Sequence, residues 1–187
     1  QPMGFYQPWQ LIQDAKQHGV SILEININDS HWDHIVMPNE TGIQLGFRLI
    51  KGFKKEIALQ LETNRPATGY ASIQEVLRLN SLHKDDVTKL SASHCFRNFS
   101  DNRFENSWVS QGFDYYSGLF QHERPVETFN IKTTRIDHII QDYQTTKVIL
   151  NDHPMSYLRD QGVFNDCHTA EQLRALEHET ETYIAGV

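Results

Sequence analysis

The residues best suited to chemistry form two short segments that repeat one pattern at an offset of 29 positions, from residue 50 to residue 79. The first copy is Ile50-Lys51-Gly52-Phe53-Lys54 with Ala58 and Leu61, and the second is Leu79-Asn80-Ser81-Leu82-His83 with Val87 and Leu90. A small residue lets a backbone turn approach a phosphate group closely. The N–H groups at the start of the following helix attract an anion. The repeat therefore predicts binding of a phosphate backbone without reading of base sequence.

This pattern resembles the helix-hairpin-helix motif, whose usual form is Leu-Pro-Gly-Ile-Gly followed by Ala and Ile. Both copies lack the second glycine, because Lys54 and His83 stand in its place. The residues predicted to bind DNA are Arg48, Lys51, Gly52, Phe53, Lys54, Lys55, Asn80, Ser81, Leu82, His83 and Lys84. Taken alone, the repeat also fits an ordinary pair of helical hairpins that pack only for stability.

The two copies differ in charge. The first has four basic residues against one nearby acid: Arg48, Lys51, Lys54, Lys55 and Glu56. In the second, two lysines are offset by two acids: Lys84, Lys89, Asp85 and Asp86. We expect the first hairpin to hold DNA more tightly than the second. The net charge of −7 argues only weakly against DNA binding, because charges are screened beyond about 8 Å at physiological salt.

Apolar periodicity, caps and breakers predict a mostly α-helical chain with a small α/β part at its N-terminus and a tandem helix-hairpin-helix core. Helices are predicted at residues 8–18, 54–63, 72–79, 85–93, 102–111, 134–150 and 169–178. Strands are predicted at residues 20–25, 43–48 and 182–187, with a loop over 26–40 and irregular structure over 112–132.

Ordered segments along the whole chain resemble the error-prone branch of bacterial C-family DNA polymerases, relatives of the replicative polymerase III α subunit. These segments are Gln1-Pro2-Met3-Gly4-Phe5-Tyr6, Gln10-Leu11-Ile12, Asp14-Ala15, His18-Gly19-Val20, Asn26-Ile27-Asn28 with Ser30 and Trp32-Asp33, then residues 45–52, 142–146, 153–159 and 184–187. The resemblance implies four parts. They are the end of the polymerase fingers (1–47), a tandem helix-hairpin-helix domain (48–112), a connector with a long helix (113–168) and the start of an OB domain (169–187).

The resemblance also implies a function. Such polymerases are nucleotidyltransferases of translesion synthesis in the DNA damage response, and palm aspartates hold their two Mg²⁺ ions. Those aspartates are expected before residue 1, so this chain is expected to have no catalytic residue, to hold no cofactor and to be inactive alone. Its first residue, Gln1, and its final strand pattern also suggest an excerpt of a longer polypeptide. The implied partners are primer–template DNA, the sliding clamp and an accessory Y-family-like subunit.

A second hypothesis is a protein-interaction adaptor that docks to the clamp or the accessory subunit, and a third is a free-standing helix-hairpin-helix protein. The clamp contact would use Ser117, Gly118, Leu119 and Phe120, which resemble a clamp-binding peptide of the form Gln-Leu-Ser-Leu-Phe. Tyr116 replaces the leading glutamine of that peptide. The alternative, which we favour on spacing, is that Leu119 and Phe120 pack on the core of this chain.

Other signals point away from a metal and a membrane. His31, Asp33 and His34 could ligate zinc, but no second pair of ligands lies nearby in the sequence. The two cysteines, Cys95 and Cys167, lie far apart, which is typical of a reducing bacterial cytoplasm. No apolar run approaches the roughly 18 residues that a bilayer-spanning helix needs.

Overall fold

A computed structural model describes residues 5–37, 42–100, 134–148 and 153–185. Its helices are α1 (Pro8–Gln17), a short 3₁₀ helix (Phe47–Leu49), α2 (Lys55–Thr63), α3 (Ile73–Leu79), α4 (Lys84–Ala92), α5 (Arg135–Thr145), α6 (Pro154–Asp160) and α7 (Ala170–Leu173). Its strands are β1 (Ser21–Leu23), β2 (Ile35–Val36), β3 (Gly42–Gln44), β4 (Cys167–His168) and β5 (Tyr183–Ile184). The predicted fold class, mostly α with a small α/β part at the N-terminus, is confirmed. In the part of the chain described, no helix is both long and apolar enough to cross a bilayer.

The N-terminal α/β part is one helix against a three-stranded sheet. α1 begins at Pro8, where a fixed φ suits the first turn and a missing N–H costs nothing. The strand order is β1-β3-β2, with β1 parallel and β2 antiparallel to β3. The strands are two or three residues long, so packing rather than the ladder must hold this sheet.

One hydrophobic core joins this α/β part to the helices. It runs from Ile12 on α1 through Phe47 and Leu61 to Phe96 and Val148. This continuous core crosses the predicted domain boundary between residues 47 and 48, which stays a prediction. The position of the helical hairpins is consequently set by the N-terminal part as well as by their own contacts.

The loop after β1 is tied to the helical region by side-chain hydrogen bonds. Asn28 accepts from the Tyr70 N–H at 2.7 Å and donates its amide to the Tyr70 carbonyl at 3.1 Å. The Ser30 hydroxyl donates to the Leu45 carbonyl at 2.6 Å, and Arg65 donates to the Ser30 carbonyl at 2.6 Å. Residues 26–30 of the predicted loop are therefore an ordered connection that fixes the start of α3 relative to β3.

Gly46 allows two backbone segments to pass in contact just before the first hairpin. A Cβ atom at this position would lie 2.5 Å from the carbonyl oxygen of Trp32 and 2.5 Å from that of Asp33. The next two amides, of Phe47 and Arg48, donate to His31 and Trp32 carbonyls at 2.8 and 3.1 Å. These bonds turn the chain away from β3, so the predicted strand 43–48 ends early and continues as a 3₁₀ helix.

Several predicted elements differ from the observed ones near the C-terminus. The helix predicted over 134–150 ends at Thr145, and the one predicted over 169–178 is only the four-residue α7. Helix α6 was not predicted. The last strand, β5, pairs in parallel with β4, which lies far from it in the sequence and was also missed. The helix predicted over 102–111 and the irregular segment 112–132 lie outside the described residues.

Candidate nucleic-acid interface

The two copies of the repeat form equivalent helices. α2 and α4 have nine residues each, and they begin at Lys55 and Lys84, which are 29 positions apart. Their core residues match in pairs, and all of them are buried: Phe53 with Leu82, Ala58 with Val87, and Leu61 with Leu90. In both helices the first turn is exposed at its start. The repeat therefore marks two structurally related helix starts that are held from behind by apolar residues.

The turns that precede these helices differ in length. The caps Ile50 and Lys54 are separated by three residues, whereas Asn80 and His83 are separated by two. Ile50 and Asn80 each cap the helix that precedes the turn, and both are buried. Counted between these caps, the first turn has one residue more than the second.

Gly52 supplies the conformation that the longer turn needs. Its φ is +70°, in the left-handed region that glycine adopts without steric cost. Ser81, its predicted counterpart, does not have a positive φ. The substitution of glycine by serine in the second copy therefore accompanies a different turn rather than the same turn under strain.

The main-chain N–H groups at the first turn divide into bonded and available ones. The Lys51 N–H donates to the Thr145 carbonyl at the end of α5 at 2.9 Å, and the Phe53 N–H donates to Ile50 at 3.1 Å. The α2 N-cap, Lys54, makes no side-chain capping hydrogen bond. The N–H groups of the first turn of α2 consequently have no partner within the described part of the chain, as an anion site requires.

The start of α4 is already neutralised by carboxylates. Asp86 accepts from the His83 N–H at 3.4 Å, and Asp85 and Asp86 both lie in the first turn of the helix. The Asp85 carboxylate also binds the Lys89 ammonium at 2.6 Å. These negative groups compete with a phosphate for the same helix end, so α2 offers the better anion site.

The structure separates the predicted DNA-binding residues by exposure. The exposed ones are Arg48, Lys51, Gly52, Lys54, Lys55, Ser81, His83 and Lys84. Phe53, Asn80 and Leu82 are buried, at 7%, 3% and 7% exposure. The Phe53 and Leu82 amides already donate to Ile50 and Asn80 carbonyls. These side chains and the two amides are therefore engaged within the protein, and the role of the three residues as DNA contacts stays a prediction.

Asn80 has a structural task instead. Its side-chain amide donates to the Tyr70 hydroxyl at 3.0 Å and to the Val76 carbonyl at 2.9 Å, and its oxygen accepts from Asn64 at 3.2 Å. Burial raises the pKa of Tyr70 above its ordinary value, which keeps that hydroxyl protonated and able to donate to Leu61. Asn80 thereby joins the end of α3 to the end of α2.

Two residues that position the first turn were missed. Thr145 on α5 accepts from Lys51, and the Lys89 ammonium on α4 donates to the Gly52 carbonyl at 2.9 Å. Neither contact has a local signal, because the partners are separated along the chain. Arg48 is also less available than predicted, since its guanidinium lies 2.6 Å from the Asp33 carboxylate at the surface.

The three residues weighed as zinc ligands face different partners. His31 binds Glu62 at 2.7 Å, Asp33 binds Arg48, and the His34 ring accepts from the Gly46 N–H at 2.9 Å. Partial desolvation of the ring, and secondarily Arg48, lowers the pKa of His34, which favours the neutral acceptor ring. Within the described residues, no group of three His, Cys, Asp or Glu side chains could hold a metal ion. Residues 117–120, the predicted clamp peptide, lie outside them.

Comparison with known proteins supports the motif and the resemblance. The helix-hairpin-helix motif family matches residues 19–106. The chain is 38% identical to the error-prone DNA polymerase of Hahella chejuensis (strain KCTC 2396) over 192 residues, 39% to that of Vibrio parahaemolyticus serotype O3:K6 (strain RIMD 2210633) over 191, and 34% to that of Teredinibacter turnerae (strain ATCC 39867 / T7901) over 194. Each match covers all of this chain and 19% of the relative.

The chain thus spans about a fifth of the length of the curated relatives it matches, 19% in each case. The identity extends along the whole chain, and the helix-hairpin-helix match includes both turns, at Gly52 and at Ser81. The chain is therefore similar along its whole length to one segment of the error-prone DNA polymerases, and it carries the helix-hairpin-helix motif.

Proposed function

We propose that this segment holds primer–template DNA by its backbone, without sequence preference, and that the first helix-hairpin-helix turn makes the main contact. The observation that carries the proposal is the difference between the two helix starts. The start of α2 has exposed lysines and one acid, Glu56, in its first turn, whereas that of α4 has two aspartates there. An anionic backbone should bind at the first helix start in preference to the second.

The lysines of the first turn supply the charge. Lys51, Lys54 and Lys55 are exposed, and no described residue forms an ion pair with any of them. Lysine ammonium groups that neutralise phosphates release counterions, so the affinity falls steeply with salt. The chain as a whole is negatively charged, at −7, so a polyanion should bind where lysines cluster locally. Repulsion between the polyanion and acidic groups elsewhere is screened beyond about 8 Å.

The wider role follows from the family. In this proposal the parent protein is a DNA-directed DNA polymerase of translesion synthesis in the bacterial cytoplasm. Its two Mg²⁺ ions and catalytic aspartates would belong to another domain. This segment would contribute to processivity and positioning of the duplex rather than to nucleotidyl transfer. Contacts to a sliding clamp through residues 117–120, and to an accessory subunit, remain predictions.

The test is the salt dependence of DNA binding. Fluorescence anisotropy with a labelled primer–template duplex would compare the wild-type chain, Lys51→Gln/Lys54→Gln and Lys84→Gln at several salt concentrations. Each lost phosphate contact should make the plot of log K against log salt less steep, by about 0.9 in the magnitude of its slope. We expect a fall of about 1.8 for the double variant and a smaller one for Lys84→Gln.

Two results would contradict the proposal. An unchanged slope in the double variant would show that these lysines do not contact phosphate. A larger effect of Lys84→Gln than of the double variant would place the main contact at the second turn. A duplex of different sequence should bind equally well, because the proposed contacts carry no base information.

A further inference from the structure

Lys147, just after α5, has a backbone conformation that is unusual for its residue type. Its φ is +57°, and among the described residues only His94 and Glu179 share a positive φ without being glycine. L-residues adopt this region at a cost, which glycine avoids. This turn ends α5 and leads Val148 into the core, whereas the exposed Lys147 side chain forms no ion pair with the described residues, so it is a candidate for ligand binding.

The turn around Lys147 is fixed on both sides. The hydroxyl of Thr146 accepts from the Val148 N–H at 3.3 Å, and Val148 is 3% exposed in the core. On the other side, the Thr145 carbonyl accepts from the Lys51 N–H at 2.9 Å. The end of α5 is therefore attached directly to the first hairpin turn, and Lys147 is carried with it.

This attachment limits the distance between two lysines that are far apart in the sequence. The 2.9 Å hydrogen bond and the two peptide units between Thr145 and Lys147 place the Cα atoms of Lys51 and Lys147 at most about 12 Å apart, given 3.8 Å between consecutive Cα atoms. Both side chains are exposed, and within the described residues neither forms an ion pair. Their ammonium groups can therefore reach neighbouring phosphates of one strand.

We infer that Lys147 is a further phosphate-binding residue of the first hairpin turn, brought there by α5. The inference rests on the proposed function, because it adds one cation to the same site. It assigns α5 a role in DNA binding that its own sequence does not indicate. The ligand is the sugar–phosphate backbone, and the contact is an ammonium–phosphate ion pair without base recognition.

The test uses three substitutions at Lys147 in the complete 187-residue chain. Lys147→Gly removes the charge and the backbone strain, so the melting temperature should rise by about 2–4 °C. The slope of log K against log salt should fall by about 0.9, and the affinity for a labelled duplex at 0.1 M salt should drop about eightfold. Lys147→Asn, which tolerates this φ, should lose the same slope. Lys147→Arg should retain it.

The control is Arg174→Gln, which removes an exposed cation at the end of α7 and should leave the slope unchanged. A wild-type slope in Lys147→Gly, together with a reduced slope in Lys51→Gln, would overturn the inference while the proposed function stands. Unchanged slopes in both would overturn the proposed function itself. A fall in both melting temperature and affinity in Lys147→Gly would show that the residue acts through folding, which also overturns the inference.

Discussion

Replacing Gly52 with alanine would separate backbone strain from steric contact at the first hairpin turn. A Cβ atom added there would lie 3.7 Å from both Cε and Nζ of Lys89, an ordinary van der Waals distance. The neighbouring side chain therefore does not oppose the substitution. The cost should come from the φ of +70°, which an L-residue adopts at about 1–2 kcal/mol.

The turn could instead relax to a negative φ, which sets an upper limit on the loss. Relaxation would break two hydrogen bonds of 2.9 Å each. One runs from the Lys89 ammonium to the Gly52 carbonyl, and the other from the Lys51 N–H to the Thr145 carbonyl. Two such bonds contribute about 1 kcal/mol each, so relaxation costs about 2 kcal/mol. The chain will take the cheaper route, and the free energy of unfolding should fall by about 1–2 kcal/mol.

Urea unfolding of Gly52→Ala, Gly52→Asn and Ser81→Ala is the assay. Gly52→Asn should lose less stability than Gly52→Ala, because asparagine tolerates the left-handed region better. Ser81→Ala, at an exposed site without positive φ, should stay within about 0.5 kcal/mol of wild type. Wild-type stability in Gly52→Ala would refute the assigned conformation. Greater loss in Gly52→Asn than in Gly52→Ala would show that side-chain bulk, and not φ, is the cause.

Three further substitutions test the surroundings of the turn. Gly46→Ala would place a Cβ atom 2.5 Å from backbone oxygens and should cost about 3 kcal/mol in urea unfolding; a loss below 1 kcal/mol would contradict that close approach. Asn80→Ala removes the hydrogen bonds at 2.9–3.2 Å and should lower the free energy of unfolding by about 2 kcal/mol. The folded variant should still bind DNA, and lost binding at unchanged stability would instead make Asn80 a DNA contact. Partial desolvation and Arg48 hold the pKa of His34 below 6.5, the ordinary value. Its contribution to stability is therefore present above that value and is lost as pH falls through the lowered folded pKa. His34→Ala should remove this part of the acid destabilisation in urea midpoints measured from about pH 7 to about pH 5, and an unchanged pH dependence would show that His34 does not cause it.

The helices were predictable where their signals are local. Two signals within one turn mark helix starts. Pro8 begins α1, and at the start of α3 the Ser72 hydroxyl accepts from the Glu75 N–H at 3.2 Å. The paired apolar residues of α2 and α4 follow the same spacing in both copies. Such patterns act over a few residues, so they can be recognised without the fold.

The end of α5 was not predictable in this way. Its apolar pattern continues to Val148, but the helix stops at Thr145 because Lys147 turns into the left-handed region and Val148 enters the core. Strand β4 was missed for another reason, since its two residues carry too little periodicity to identify a strand.

The sequence by itself determined the resemblance to error-prone polymerases, the two related helix starts and the cluster of lysines at the first of them, because each depends on residue type and short-range spacing. The tertiary structure alone decided which of the predicted binding residues are exposed and which are buried. Asn80 became a buried connector through Tyr70, and the first turn became attached to α5 through Thr145. Contacts between residues far apart in the chain depend on how the core packs, and no local pattern encodes them.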